Sequence, residues 1–131
     1  FLCLILNMNS TYILIVVVVL GFFVYNKIFS NVPSISSKES MELLSDKNYE
    51  FLDVRTESEY ASGHIPNSLH IPLQEIQGRI SELEDIKDKN IIVYCRSGAR
   101  SSMASKSLLK NGYNVLNLSG GILGWEGEIS K

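Results

Sequence analysis

Short apolar runs alternate with helical patterns through most of the chain, and this alternation constrains the fold more than any other feature. Runs with the length and composition of strands lie at residues 51–54, 68–71, 91–94 and 115–118. Parallel strands need a crossover connection between them, and a helix is the usual one. We therefore predict an α/β domain whose parallel sheet is flanked by helices on both faces.

Local signals place the helices between these strands. Two capping boxes, Ser36 with Glu39 and Thr56 with Glu59, predict a helix over residues 37–45 and a short one that ends near Gly63. Apolar residues at helical spacing predict a surface helix over residues 73–84. The helix after residue 98 is expected to turn three apolar side chains toward the core, namely Met103, Ala104 and Leu108.

The N-terminal region is strongly apolar. Residues 12–25 carry no charge, and the first charged side chain is Lys27. Extended to residues 11–29, the stretch approaches the roughly 20 residues that span a bilayer. We therefore predict one transmembrane helix at residues 11–29, between a tail (1–10) and a linker (30–36). A cleaved signal peptide is the alternative, but the basic first region and the small residues of a cleavage site are missing.

The same region bears on orientation and on the true start. Lys27 and Lys38 follow the apolar stretch and no basic side chain precedes it, so the positive-inside rule predicts a single-pass membrane protein with a cytoplasmic domain at residues 37–131. Met8 is a candidate start. The net charge of −2 provides no basic field for nucleic acid.

Cys95 directly follows the apolar run at residues 91–94, and a short loop and a helix follow it. In an open α/β sheet, ligands bind beyond the carboxyl ends of the strands. A thiol at that place faces backbone N–H groups and the positive end of a helix dipole, and both favour the thiolate. Arg96 and Arg100 add positive charge that suits a small oxyanion. We therefore predict a reactive cysteine, and a buried structural cysteine is the alternative.

Three segments together resemble the rhodanese family of sulfurtransferases. They are LDVRTESEYASGHIP at residues 52–66, CRSGARS at residues 95–101 and LSGGILGW at residues 118–125. The resemblance covers about residues 35–128. Asn67 departs from the glycine that many members have after the proline, but asparagine also tolerates a positive φ in a turn.

The resemblance implies a rhodanese-like fold and a persulfide cycle on Cys95. The thiolate would take the outer sulfur of a donor such as thiosulfate and pass it to an external thiol or protein acceptor, with no metal or organic cofactor. The implied substrate-binding residues form the loop after the nucleophile: Arg96, Ser97, Gly98, Ala99, Arg100 and Ser101. Ser97, Ala99 and Ser101 are expected to contribute mainly backbone N–H groups, and Gly98 to let the backbone curl around the sulfur.

The remaining candidates are assigned structural roles. Asp53 and Arg55 are expected to form a buried ion pair that orders the loops around the site. His64 and His70 each lie beside a turn and are not expected to act as bases. Glu59 is interpreted as a helix-cap residue.

Two other classes of function stay open at this point. One is a non-catalytic or sulfur-carrying interaction module at the membrane. The other is a phosphatase or arsenate reductase, but Cys95 and Arg100 are separated by four residues, whereas the related phosphatase loop has five between them. A loop one residue shorter is expected to fit phosphate or arsenate poorly.

Overall fold

The computed structural model of this chain describes residues 9–29 and 31–131. The candidate start at Met8 and the predicted tail up to that residue lie outside the described residues. The chain divides into two units, Phe1–Asn31 and Val32–Lys131.

The described part of the first unit is a single helix, α1 (Ser10–Phe29). Among the described residues, no helix meets the length and apolarity that crossing a membrane requires. The predictions of a transmembrane anchor and of a single-pass membrane localisation with a cytoplasmic domain are therefore wrong. The uninterrupted apolar run, residues 12–25, ends at Asn26 and Lys27. Its 14 residues rise about 21 Å as a helix, against a hydrocarbon core of about 30 Å.

The second unit is built from five short strands and several helical segments. The strands are β1 (Ser34–Ile35), β2 (Tyr49–Asp53), β3 (Leu69–His70), β4 (Asn90–Tyr94) and β5 (Asn114–Leu118). The α-helices are α2 (Ser37–Met41), α3 (Glu57–Ser62), α4 (Ile76–Arg79) and α5 (Ala99–Lys110). Three 3-10 helices complete it: Leu73–Glu75, Ile80–Ile86 and Gly121–Gly124.

All five strands pair in parallel in the order β1-β5-β4-β2-β3, which confirms the predicted parallel α/β sheet. Strand β4 lies at the centre, where Val93 is paired with Leu52 of β2 and with Asn117 of β5. Because every strand has the same direction, the carboxyl ends of β2, β4 and β5 meet at one edge. The residue that follows β4 is thereby placed in the middle of that edge.

The core has one layer on each face of the sheet, as a parallel sheet buried on both sides requires. Side chains of β4 alternate between the layers. Ile91, Val93 and Cys95 pack with Ala104 and Leu108 of helix α5. Ile92 and Tyr94 pack on the opposite face, in the layer that contains Trp125.

Several details differ from the sequence predictions. Strand β1 lies within the predicted linker at residues 30–36, and the helix predicted over residues 37–45 ends at Met41. The helix predicted over residues 73–84 is three short segments, and the backbone leaves helical geometry at Arg79 (φ −119°, ψ 10°). The preceding Gly78 weakens a helix by about 1 kcal/mol relative to alanine. Met103 is 61% exposed rather than inward, because the buried stripe of α5 runs through residues 101, 104, 105 and 108.

Candidate active site

Cys95 lies directly after the central strand β4, and it is only 1% exposed. Strand β4 is buried along residues 91–94, so the thiol lies in the buried part of the sheet edge and not on its exposed surface. The following residues turn immediately into helix α5. The predicted strand–cysteine–loop–helix order is what the structure has.

A left-handed glycine and a second chain segment hold this loop in shape. Gly98 has φ +115° and precedes the first residue of α5, a conformation that side chains with a Cβ rarely adopt. Behind the loop, the backbone N–H of Ile122 donates to Cys95 O (2.9 Å), and that of Leu123 donates to Arg96 O (3.1 Å). The 3-10 helix Gly121–Gly124 therefore supports the loop through its backbone carbonyl groups.

Several donors converge on the sulfur. The backbone N–H of Gly98 lies 3.0 Å from Cys95 Sγ, and the hydroxyl of Ser101 lies 3.4 Å from it. Burial raises the pKa of the Cys95 thiol, but hydrogen bonds from the Ser101 hydroxyl and from the N–H groups of Ser101, Gly98 and Ser97 outweigh it. The net pKa of Cys95 is below its ordinary value, which favours a nucleophilic thiolate.

The side chain of Ser101 also takes part in hydrogen bonding, although the sequence predicted mainly a contribution from its backbone N–H. Its hydroxyl also lies 2.6 Å from Asn117 Oδ1 and 3.1 Å from Gly98 O. Asn117, on strand β5, in turn donates from Nδ2 to Gly98 O at 3.3 Å. Asn117 is not among the residues predicted for the site, since a polar residue in an apolar strand is the only signal for it in the sequence.

The two arginines that follow Cys95 have different surroundings, Arg96 in the loop and Arg100 in the first turn of helix α5. Arg100 makes two parallel hydrogen bonds to Glu59 of helix α3, Nη1–Oε1 at 2.7 Å and Nη2–Oε2 at 2.9 Å. These bonds lower the pKa of Glu59 to about 2. Arg96 is exposed, and its guanidinium makes no ion pair with any residue that the structure describes. Glu59 is therefore a partner of Arg100 as well as the capping residue for Thr56.

Asp53 and Arg55 form a buried ion pair at the end of strand β2. Asp53 is 0% exposed and Arg55 6%, and Arg55 Nη2 lies 2.6 Å from Asp53 Oδ2 and 2.7 Å from Gly63 O. Burial lowers the pKa of Arg55, but the hydrogen bond to Asp53 outweighs this and the net pKa is raised. The pair therefore connects the end of β2 with the C-terminal end of helix α3, the helix that contains Glu59.

The two histidines make contacts elsewhere. The rings of His64 and His70 stack on the ring of Tyr60, with centroids 3.8 and 4.4 Å away. His64 Nδ1 lies 3.0 Å from Tyr60 O, and His70 Nε2 lies 2.8 Å from Arg55 O. Within the described residues, neither histidine hydrogen-bonds to Cys95, and no group of three or more metal-binding side chains is arranged to hold an ion.

Comparison with known proteins shows which family the domain resembles. The profile of the rhodanese-like domain family matches residues 36–128. A sulfurtransferase of Allochromatium vinosum is 43% identical over 91 residues, which are 69% of this chain and 83% of that protein.

Other similar proteins contain such a domain within a longer chain. A solved structure of thiosulfate sulfurtransferase from Pseudomonas aeruginosa superposes with a TM-score of 0.68 at 30% identity, over 76% of this chain and 20% of that one. The tRNA uridine(34) hydroxylase of Buchnera aphidicola is 35% identical over 74% of this chain, which spans 33% of that protein.

Proposed function

Because the chain belongs to the rhodanese-like domain family, we propose that it is a sulfurtransferase that carries sulfur as a persulfide on Cys95. The observation that carries the proposal is the environment of Cys95 Sγ. This sulfur is buried at the end of the central strand, has Gly98 N at 3.0 Å and the Ser101 hydroxyl at 3.4 Å, and has a pKa below its ordinary value. A nucleophile whose thiolate form is favoured by fixed donors fits this chemistry.

The proposed donor is thiosulfate. The Cys95 thiolate attacks its outer sulfur, so that a bond forms between Sγ and that sulfur while the bond to the sulfonate sulfur breaks. The electron pair of the broken bond leaves on sulfite. The persulfide that remains on Cys95 has an anionic terminal sulfur, which the N–H groups of the loop can stabilise.

An acceptor completes the cycle. A thiolate or cyanide attacks the terminal sulfur, the bond between that sulfur and Sγ breaks, and its electron pair returns to Cys95 as the thiolate. The structure describes no other cysteine than Cys95, so within the described residues no second thiol can take the sulfur. We propose that an external thiol or protein acts as acceptor.

Arg96 is the residue that we assign to the sulfonate group of the donor. It is exposed beside the loop and free of ion pairs among the described residues, so its fork of N–H donors can meet the oxygens of an anion. Arg100 has a weaker share in donor binding, because Glu59 occupies its donors and offsets its charge. Ser97, Gly98, Ala99 and Ser101 serve through the backbone of the loop.

Intact-mass spectrometry of the full chain tests the proposal. The protein is incubated with thiosulfate and then with cyanide, and the modified residue is located by peptide mapping. We expect a gain of one sulfur atom on Cys95 that cyanide removes. Because the chain has two cysteines, Cys95→Ser is expected to abolish the gain and the matched control Cys3→Ser to keep it.

Other outcomes have distinct meanings. A persulfide that forms but is not removed by cyanide or by thiols favours a sulfur-carrying module over an enzyme. No gain of sulfur from either thiosulfate or a low-molecular-weight persulfide, in a folded protein with a reactive thiol, contradicts sulfur transfer through Cys95.

A further inference from the structure

The hydroxyl of Ser101 has one proton and three acceptors within reach. They are Asn117 Oδ1 at 2.6 Å, Gly98 O at 3.1 Å and Cys95 Sγ at 3.4 Å. A hydroxyl can make only one full hydrogen bond as a donor. The choice among these acceptors therefore affects the ionisation of the thiol, because a bond donated to sulfur stabilises the thiolate.

Gly98 O is already satisfied by other donors. It accepts from Ser102 N, in the first turn of helix α5, at 3.1 Å and from Asn117 Nδ2 at 3.3 Å. These two bonds occupy both lone pairs of the carbonyl. The competition for the Ser101 proton is therefore between Asn117 and Cys95.

The carbonyl of Gly98 also fixes which way the amide of Asn117 faces. A carbonyl oxygen can only accept, so the NH₂ end of the amide must point to it. This leaves Oδ1 of Asn117 facing Ser101 at 2.6 Å, the shortest of the three contacts. Ser101 is 0% exposed, so water does not compete for its proton.

We propose that Asn117 is a positioning residue that holds the Ser101 hydroxyl proton on its own side-chain oxygen while Cys95 is a thiol, and gives up that hydrogen bond when the sulfur becomes anionic. The change is a rotation of the hydroxyl, in which no covalent bond forms or breaks. Ionisation of Cys95 therefore costs the hydrogen bond between Ser101 and Asn117. The inference rests on the proposed function, because it concerns the nucleophile of that reaction.

The charged groups around the loop are Arg96, Arg100 of helix α5 with its partner Glu59 of α3, and the pair of Asp53 and Arg55 at the end of strand β2, and Arg100 interacts electrostatically with Cys95. Among the described residues, Asn117 makes its side-chain hydrogen bonds to Ser101 and Gly98 and to none of these charged groups. A substitution at Asn117 also removes the bond from Nδ2 to Gly98 O, so a second background is needed to separate the effect of the hydroxyl.

The test measures the rate of alkylation of Cys95 by iodoacetamide as a function of pH, in the full chain with Cys3→Ser. Asn117→Val removes the competing oxygen and keeps a residue that suits a strand. The freed hydroxyl then turns to the thiolate, which is a stronger acceptor than a carbonyl that already accepts from Ser102 N. We expect the rate at neutral pH to rise roughly fivefold and the pH profile to move to lower pH.

A second background separates this effect from a general change of structure. In Ser101→Ala, the same Asn117→Val substitution is expected to leave the alkylation profile unchanged. A rise of equal size in that background overturns the proposal, and so does an unchanged or slower rate in the presence of Ser101. If circular dichroism shows that Asn117→Val is unfolded, Asn117→Ala carries the same expectations.

The alkylation assay needs no sulfur donor, so its result is independent of sulfur transfer. A faster alkylation in a protein that forms no persulfide contradicts the proposed function and leaves the role of Asn117 standing. Normal persulfide formation with an unchanged alkylation profile overturns the role of Asn117 alone.

Discussion

At the scale of single residues, the ionisation of Cys95 depends on donors that come from different parts of the loop. Burial works against the thiolate, and the Ser101 hydroxyl is the largest of the opposing contributions to the pKa of Cys95. Ser101 lies six residues after the nucleophile, on the first turns of helix α5. The start of the helix therefore supplies a side-chain donor in addition to its backbone.

Replacing Ser101 by alanine should make the thiol less acidic. The hydroxyl donates to Asn117 when Cys95 is a thiol and to the sulfur when it is a thiolate, which is the stronger acceptor of the two. Its loss therefore costs the thiolate more, so the pKa of Cys95 rises and the fraction of thiolate at neutral pH falls. We expect alkylation at neutral pH to slow roughly threefold in a Cys3→Ser background. Ser102→Ala, on the next position of the same helix, is the matched control and should leave the profile unchanged. Equal rates for Ser101→Ala and the unmodified protein would count against the hydroxyl as a donor to sulfur.

The two loop arginines should differ in their effect on donor binding. Arg96→Ala removes an exposed cation without an ion pair among the described residues, so we expect the KM for thiosulfate to rise roughly tenfold. Arg100→Ala removes a charge that Glu59 already offsets, and the KM should rise less than about threefold. Steady-state assays of sulfur transfer to cyanide measure both, with Lys106→Ala on helix α5 as a control cation. The reverse ranking would show that Arg100 leaves Glu59 when the donor binds.

The sequence predicts which residues carry the chemistry but not the partners of those residues. Cys95, Arg96 and Arg100 are predicted as site residues because they follow an apolar run and lie at the start of a helical pattern. The bond between Arg100 and Glu59 joins residues 41 positions apart, and the contact of Ser101 with Asn117 joins two elements. Such contacts depend on how the elements pack, and periodicity in one segment carries no information about them.

At the scale of elements, the loop after Cys95 is supported by the segment that begins at Gly121, whose backbone approaches the loop backbone closely. Gly121 has φ +57°, and a Cβ there would collide with the carbonyl group of Arg96 and come within 2.6 Å of Cys95 O. Both the left-handed backbone and the close approach require glycine at this position. Glycine at position 121 is thus required by the close approach of this segment to the loop after Cys95.

Gly121→Ala should therefore disturb the site and destabilise the protein. We expect the free energy of unfolding to fall by about 2 kcal/mol or more and persulfide formation to be strongly reduced. Gly78→Ala is the matched control, because its Cβ would meet nothing within 4 Å and Gly78 lies in helix α4. That control should be neutral or stabilising by up to about 1 kcal/mol. Urea unfolding measures the stability of the two variants, and intact-mass spectrometry measures their persulfide formation. Equal stability of the two variants would contradict a structural requirement for glycine at position 121.

The elements also show where sequence patterns mislead. Periodicity at residues 73–84 predicts one helix because Ile76, Ile80 and Leu83 share a face. The chain meets that requirement with a short α-helix between 3-10 turns. Met103 was assigned to the core because it is apolar, but polar Ser101 and Ser105 share the buried stripe instead. Ser101 is buried beside the Cys95 sulfur, where its hydroxyl finds hydrogen-bond partners, so apolarity alone does not identify the buried positions of this helix.

At the scale of the domain, the order of the strands brings the parts of the site together. Strand β4 lies between β2 and β5, so Asp53 at the end of β2 and Asn117 of β5 come to the same edge of the sheet as Cys95, although they are far from it in sequence. The parallel sheet was predictable from the alternation of strands and helices. The order of strands was not, because every connection between consecutive strands is a long crossover that does not by itself set which strands pair.

The contact between helices α3 and α5 links this arrangement to acid stability. Glu59 of α3 is held by two hydrogen bonds to Arg100 of α5, and its pKa is lowered from 4.5 to about 2. A carboxylate whose folded pKa is depressed contributes stability above its unfolded pKa and loses that contribution as the pH falls through the folded value. Both side chains are about one-third exposed, so solvent screening limits the contribution to about 1–2 kcal/mol.

Denaturation by urea at a series of pH values tests this link. As the pH falls from above 4.5 to about 2, the free energy of unfolding should decrease more steeply in the unmodified protein than in Arg100→Gln. In that variant the pKa of Glu59 in the folded chain returns toward its ordinary value. Protonation of Glu59 then changes the free energy of unfolding less. Glu57→Gln, an exposed carboxylate of the same helix, should keep the steep dependence. Parallel curves for the unmodified protein and Arg100→Gln would show that the pair adds nothing to stability, and Arg100 would then be free to bind the donor at no cost to the fold.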